Sequence, residues 1–339
     1  MPKRLRPIVF IGAGGIVRAA HLPAYRSRGF EIAGAYDVQA KTARELVRDL
    51  PLARAFASIH EAASVEGAVF DVAVPADQIL AVLAEIPVGA TVLIQKPMGR
   101  NLTEARRIVE LCRKKRLTAA VNFQLRFAPN MLALQRELAQ KTLGRIVDVE
   151  IRTRTHTPWA QWKFLRGIPR MEILYHSIHY LDLLRACFGE PQTLWADARE
   201  DARFPGYADT RTCALLTFDG GIRATLTTSH GHEFGERAKS SHVLIEGTRG
   251  ALLATMGVNL DYPRGAPDTL EICAPRGRWK PIVLDGSWFP DAFGGTMSNL
   301  QRFAEGSDKV LHTSVSDALK TMAVVEACYR ASTRGAKQS

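Results

Sequence analysis

Residues 7–122 alternate between two hydrophobic periods. Short β-rich runs (PIVFIG, EIAGAYD, FDVAVP, ATVLIQ, LTAAVNF) are separated by stretches with apolar residues at helical spacing: TARELVRDL, DQILAVLAEI and NLTEARRIVELCRKK. Strand and helix in alternation give βαβ units, a doubly wound parallel sheet with helices on both faces. In NLTEA, Asn101 or Thr103 offers the side-chain oxygen that a helix start requires, so the spacing predicts an N-terminus there.

After about residue 125 the pattern changes. A helix-like run, PNMLALQRELAQK, leads to the strand GRIVDVEIRTRT, then to a loop rich in aromatics and a helix near MEILYHSIHYLDLLRACF. The runs TLWADARE, TRTCALLTF, GIRATLTTS, SHVLIEG and GALLAT then alternate between turn signals such as DGG and GTRG, which predicts a mostly antiparallel sheet. The expected organisation is α/β plus α+β: a nucleotide-binding domain over 1–125 and a substrate-binding and oligomerisation domain over 126–339. The helical tail SVSDALKTMAVVEACYRAS is free to pack back on the first. No repeat or low-complexity segment interrupts this plan.

Composition changes the picture only at its edges. A chain of 339 residues, 46% hydrophobic and 23% charged, has the size and balance of two soluble globular domains. No apolar run reaches the roughly 20 residues of a membrane-spanning helix. Five dispersed cysteines, odd in number and never spaced as CxxC, argue against a disulfide framework or thiolate zinc and fit a reducing cytoplasm. The net charge of +11 includes the clusters PKRLR and CRKKR, but no nucleic-acid-binding module accompanies it. Cations at Arg113 to Arg116 suit a helix C-terminus. The basic leader before IGAGG reads poorly as a secretion signal, because glycines, prolines and Arg18 interrupt the apolar stretch.

VFIGAGGIVRAAHLPAY places Gly12 and Gly14 at a tight turn between a strand and a helix. Gly12 permits the turn, and Gly14 lacks the Cβ that would keep a pyrophosphate from the helix N-terminus. Gly15 and Ile16 continue this cofactor-facing backbone, although Val17 stands where a third glycine is usual. Asp37, ending the second strand, is placed to accept hydrogen bonds from a ribose and to repel a 2′-phosphate, so NAD is expected over NADP. Capping the helix that starts near Lys41 is a compatible role for the same carboxylate. His21 reads as a packing histidine.

VLIQKPMG sets Lys96 beyond the C-terminal end of a parallel strand, the edge at which open α/β sheets bind ligands. With GAGGIVRAAHLPAY before it, QKPMGRNLTEA itself, and HSIHYLDLLRACFGEP after it, the chain resembles the Gfo/Idh/MocA family over essentially its whole length. The resemblance implies an N-terminal Rossmann domain and a catalytic pair, Lys96 and His179. It also implies a cofactor site that includes Pro75, Gln95 and Gln124. Gln95 stands where that family's motif has glutamate, and Tyr175 where it has the aspartate four residues before the histidine.

Glu172, His176 and His179, spaced four and three apart, share one face of a regular helix. They read as substrate ligands replacing the missing aspartate, as a divalent-metal set, or as buried polar groups satisfying one another. Proton abstraction by a lysine needs no metal, and none is assigned. The loop THTPWAQWKFLRG offers Trp159, Trp162 and Lys163 to a sugar, or its aromatics to packing. His230 and His232 in SHGHEFGE stay unassigned.

The implied activity is NAD-dependent oxidation of a hydroxyl on a sugar, cyclitol or related polyol, Lys96 and His179 handling its proton. The resemblance leaves two alternatives: a glycosidase that uses NAD transiently, and a non-catalytic nucleotide-binding regulator. It also implies a homodimer or homotetramer built through the second domain.

Overall fold

The computed structural model describes residues 1–262 and 264–335, the last two by backbone alone. The chain divides into two compact units, Met1–Phe127 with Phe289–Ala323, and Ala128–Trp288 with Val324–Ser339.

The first unit is built on six parallel strands: β1 (Ile8–Ile11), β2 (Ile32–Tyr36), β3 (Arg54–Ala55), β4 (Val69–Val72), β5 (Thr91–Ile94) and β6 (Thr118–Val121). Their order is β3-β2-β1-β4-β5-β6, so the crossover direction reverses between β1 and β4. Such a reversal opens a crevice at the C-terminal edge of the sheet. Strands covered on both faces are apolar throughout, and all four β1 residues are buried. The helix Leu102–Lys114 starts as its sequence predicts: Asn101 is the cap, its side chain accepting the Glu104 N–H at 2.9 Å.

One helix of this unit escapes the local pattern. Asp291–Ala304 buries Phe293, Met297 and Leu300 in the core formed by Ile8, Phe10, Val17 and Tyr25. The second domain expected over 126–339 therefore loses 289–323 to the first unit. These three side chains, four and three apart, form a stripe that the first core takes up. Gly294 and Gly295 dilute that stripe in the sequence, yet a Cβ on Gly295 would lie 2.6 Å from the Phe127 Cβ. The glycine allows that close approach.

The second unit is an eight-stranded sheet: β7 (Ile146–Arg154), β8 (Thr193–Arg199), β9 (Arg211–Phe218), β10 (Ile222–Ser229), β11 (Ser240–Gly247), β12 (Gly250–Thr255), β13 (Thr269–Cys273) and β14 (Lys280–Pro281). The order is β14-β13-β12-β11-β7-β10-β9-β8, antiparallel except for the β7–β10 pair. Alternate residues, among them Ala214, Leu216, Phe218, Ala224 and Leu226, are buried, while their neighbours leave the opposite face open. One-sided burial of an antiparallel sheet accounts for the alternation read from sequence. A π-helical turn, Ile173–Ser177, runs directly into the α-helix Ile178–Phe188.

Candidate functional site

The glycine turn is built for close approach. Gly12 sits at φ +97°, and a Cβ there would collide with the Ala73 carbonyl. Gly14 and Gly15 are exposed, and a Cβ on either would meet no protein atom within 4 Å. The space over Gly14 thus belongs to no part of the chain, as a pyrophosphate seat requires. Ile16 is exposed beside it, and Pro75 is exposed just past β4. Asp37 is tied to this turn: Oδ2 accepts the Ala13 N–H and Oδ1 the Gln39 N–H, each at 2.9 Å. The helix Ala40–Val47 has Gln39 as its N-cap, with no side-chain cap bond, so Asp37 does not cap it.

Across the C-terminal edge, the Gln95 N–H continues the ladder to the Val72 carbonyl, and Asn122 continues it to Ile94. Behind them lies a buried polar cluster that the sequence did not reveal. His21 Nδ1 is 2.7 Å from Asp71 Oδ2, which also accepts the Tyr25 hydroxyl at 2.6 Å. Gln95 Nε2 and Asn122 Nδ2 approach His21 Nε2 at 3.4 and 3.3 Å. Both amides are donors, so this network assigns the His21 proton to Nδ1 and leaves Nε2 as acceptor. Burial first, and then the Asp71 charge, hold the Tyr25 phenol well above its ordinary range.

Gln95 joins this cluster to Lys96, because its Oε1 accepts the Lys96 backbone N–H at 2.8 Å. A glutamine at this position supplies an N–H toward His21 that a carboxylate lacks. Burial lowers the Lys96 ammonium from 10.5 to about 8. Gln124 is buried, and its Oε1 has no hydrogen-bond partner among the described residues. A buried amide oxygen without a donor suits a ligand-facing position. Arg126 instead braces its own unit, through the His312 carbonyl at 2.9 Å and Asp317 at 2.6 Å.

In the second unit, Asp209 anchors the histidine-bearing segment. Its carboxylate accepts the N–H groups of Met171 (2.7 Å) and Glu172 (3.1 Å) and the Tyr329 hydroxyl (3.0 Å). Burial raises it to about 6. Beyond this anchor the face expected to unite Glu172, His176 and His179 does not form. A π-turn brings residue i+5 beneath residue i, and the extra residue rotates His179 away. Ser177 Oγ lies 2.8 Å from both Glu172 carboxylate oxygens, and His176 Nδ1 is 3.2 Å from Oε1. The third member is His230, at the end of β10, whose Nε2 is 3.1 Å from the same Oε1. Sequence reasoning missed its role; the only local signal was the histidine pair in SHGHEF. Burial opposes the Glu172 charge, but the two imidazoles more than offset this and hold its carboxyl below the carboxylate range.

His179 is buried, its ring 6.4 Å from that of Trp288. Trp159 is also buried, edge-on to His230 at 4.9 Å, and its indole N–H has no partner among the described residues. Trp162 packs on Trp159 and on Tyr262, Tyr175 meets Phe164, and Lys163 is exposed. Of these, Trp159, Trp162 and Tyr175 belong to a satellite core with Leu165 and Met171.

Among the described residues no helix is long and apolar enough to cross a membrane. Residues 6–123 match the model of the oxidoreductase family with an NAD-binding Rossmann fold, and 131–253 match the GFO/IDH/MocA C-terminal domain. D-apiose dehydrogenase of Paraburkholderia graminis is 26% identical over 96% of this chain and 87% of its own length. Trans-1,2-dihydrobenzene-1,2-diol dehydrogenase of Bos taurus is 30% identical over 60% of this chain and 62% of its own. The fold is shared with an oxidoreductase from Agrobacterium radiobacter solved with NAD+, L-tartaric acid and magnesium, at a TM-score of 0.80 and 20% identity. That likeness covers 98% of this chain and 97% of the other. With both domain models satisfied in order and the glycine turn open for a dinucleotide, the chain belongs to the Gfo/Idh/MocA family of NAD-binding oxidoreductases.

Proposed function

We propose that this protein is an NAD-dependent dehydrogenase that oxidises a secondary hydroxyl or hemiacetal carbon of a sugar, cyclitol or related polyol. The observation that carries this reading is Lys96: a lysine brought to about 8 by burial, at the C-terminal edge of a sheet whose glycine turn is open to a dinucleotide. Gly12, Gly14, Gly15 and Ile16 hold the pyrophosphate, and Asp37 accepts the ribose hydroxyls and disfavours a 2′-phosphate. Pro75, Gln95 and Gln124 complete the seat. NAD, when bound, accepts the hydride equivalent lost by the carbinol carbon.

The chain's own contribution is the proton. With a pKa of about 8, Lys96 exists in part as the free amine near neutrality and takes the hydroxyl proton as general base. His179 acts with it on the same hydroxyl, the role the family resemblance gives it. Trp159, Trp162, Lys163 and Tyr175 serve the substrate: the aromatic faces pack on its C–H groups, and Lys163 and the Trp159 N–H bond to its oxygens. Glu172 is fully buried and holds His176 in place. His176, only half-buried, is the member of that pair able to reach a ligand. The two relatives named for oxidising a sugar and a cyclic diol support the substrate class.

The test is a spectrophotometric screen of NAD and NADP against aldoses including D-apiose, polyols, cyclitols, sugar acids and trans-diols. Steady NADH formation with one of these classes is the expected result. Sugar release from glycosides without NADH accumulation would replace dehydrogenase with hydrolase, and cofactor binding without turnover of any class would leave a regulator.

A further inference from the structure

We propose that Glu172, His176 and His230 form a binding site for one divalent transition-metal ion of the zinc type. Its ligands are Glu172 Oε1, His176 Nδ1 and His230 Nε2, and one coordination position is left for water or an oxygen of a small-molecule ligand. The three donor groups lie within 4.8 Å of one another. The separations from Glu172 Oε1, 3.2 Å to His176 Nδ1 and 3.1 Å to His230 Nε2, are close to the edge of a tetrahedron around an ion. Bonds of about 2.0–2.1 Å give an edge of about 3.3 Å. Among the described residues no other three histidine, cysteine or carboxylate side chains converge in this way, so the expected stoichiometry is one.

The contacts at the Glu172 carboxylate divide between its two oxygens. Three groups crowd Oε1, namely both imidazole nitrogens and Ser177 Oγ, whereas Oε2 has Ser177 Oγ as its contact. Ser177 has one hydroxyl proton, and when Oε2 takes it Oε1 is left facing the two imidazole nitrogens. An ion fits the same geometry: both nitrogens become lone-pair donors to the metal, and the Ser177 proton goes to Oε2.

The surroundings are those of a metal site. Thr157 Oγ1 is 2.7 Å from His230 Nδ1, so that with Nε2 on the ion the hydroxyl oxygen accepts the Nδ1 proton. Ser177 steadies the free carboxylate oxygen, a contact that exists because the π-turn stacks residue 177 under 172. Glu172 and His230 are buried, whereas the His176 side chain keeps 21% of its surface, so the open position and the route for exchange lie on that side. Two imidazoles and one carboxylate suit zinc or cobalt rather than magnesium or calcium, which favour all-oxygen shells. The site lies wholly in the second unit and does not depend on the dehydrogenase reading.

The full-length protein, stripped with chelator and dialysed, is titrated with Co2+ under visible absorption and with Zn2+ by equilibrium dialysis and elemental analysis. One equivalent per chain is expected, with the intensified d–d bands of low-coordinate Co2+ and a rise in Tm on adding Zn2+. His176→Gln, at the half-buried position, should fold, bind no stoichiometric metal and lose the Zn2+-dependent rise. Thr157→Val should weaken binding about 10- to 100-fold. His242→Gln, in a separate pair with Glu150, should bind as wild type. A Co2+ spectrum unchanged from the aquo ion, or equal binding by wild type and His176→Gln, would overturn the proposal.

Discussion

Asp37 Oδ2 accepts the backbone N–H of Ala13 at 2.9 Å, so the acidic residue that ends β2 is bonded to the glycine turn that ends β1. One carboxylate thus shapes the turn and sets the charge beside the position proposed for the ribose.

Asp37→Asn separates these two duties. The amide oxygen still accepts the Ala13 N–H, while its NH2 replaces the oxygen that accepted the Gln39 N–H, so Tm should fall by the loss of that one exposed hydrogen bond, about 1 kcal/mol. Losing the charge should move the NAD-to-NADP ratio of kcat/KM toward NADP by about tenfold, equivalent to about 1.4 kcal/mol. An unchanged ratio would remove Asp37 from cofactor selection.

The two glycines should fail differently. Gly12→Ala forces a side chain into left-handed backbone and against the Ala73 carbonyl, so it should lose stability and cofactor binding together. Gly14→Ala meets no protein atom within 4 Å and should keep its Tm while NAD affinity falls at least tenfold, as read by fluorescence titration or calorimetry. A Gly14→Ala protein that binds NAD normally would mean that the dinucleotide seats elsewhere.

Lys96 sets the expected pH profile. Its ammonium is lowered to about 8, so kcat/KM for oxidation should rise with pH through about 8 and then level off as the free amine fills. Lys96→Met should lower kcat about 100- to 10,000-fold with NAD binding retained. The same shift bears on stability. Between about 8 and 10.5 the unfolded chain holds a proton that the folded residue has released, so the Lys96 contribution to stability increases with pH across that window and is a constant penalty below it. Chemical denaturation at pH 7.5 and 9.5, wild type against Lys96→Met, reads this difference.

The open face of the second sheet carries Trp195 and Leu215, partners in register on β8 and β9 and exposed at 52% and 39%. We expect this face to join copies of the chain. Trp195→Arg with Leu215→Lys should shift sedimentation from dimer or tetramer to monomer, by about 2 kcal/mol or more of association energy. A wild-type monomer at micromolar concentration would refute the expectation.

Much of the first sheet is visible in the chain, since a buried parallel strand must be apolar along its length and a helix must be so every third or fourth residue. Gly12, Asp37 and Lys96 are marked by their places at strand ends. The helix Asp291–Ala304 is not: its stripe is interrupted by Gly294 and Gly295, which matter only for how closely it packs on Phe127 and Arg28.

The amino-acid sequence alone determined the alternation of elements, the glycine turn, the acid that follows it and the lysine at the sheet edge, because each is a relation between residues near one another in the chain. Tertiary structure decided which side chains meet Glu172. A regular helix would have offered His179, but the π-turn carries that residue past the face, and β10 supplies His230 from 58 positions away. Spacing can predict neighbours on one element. Only the path of the backbone between elements brings distant residues to the same carboxylate.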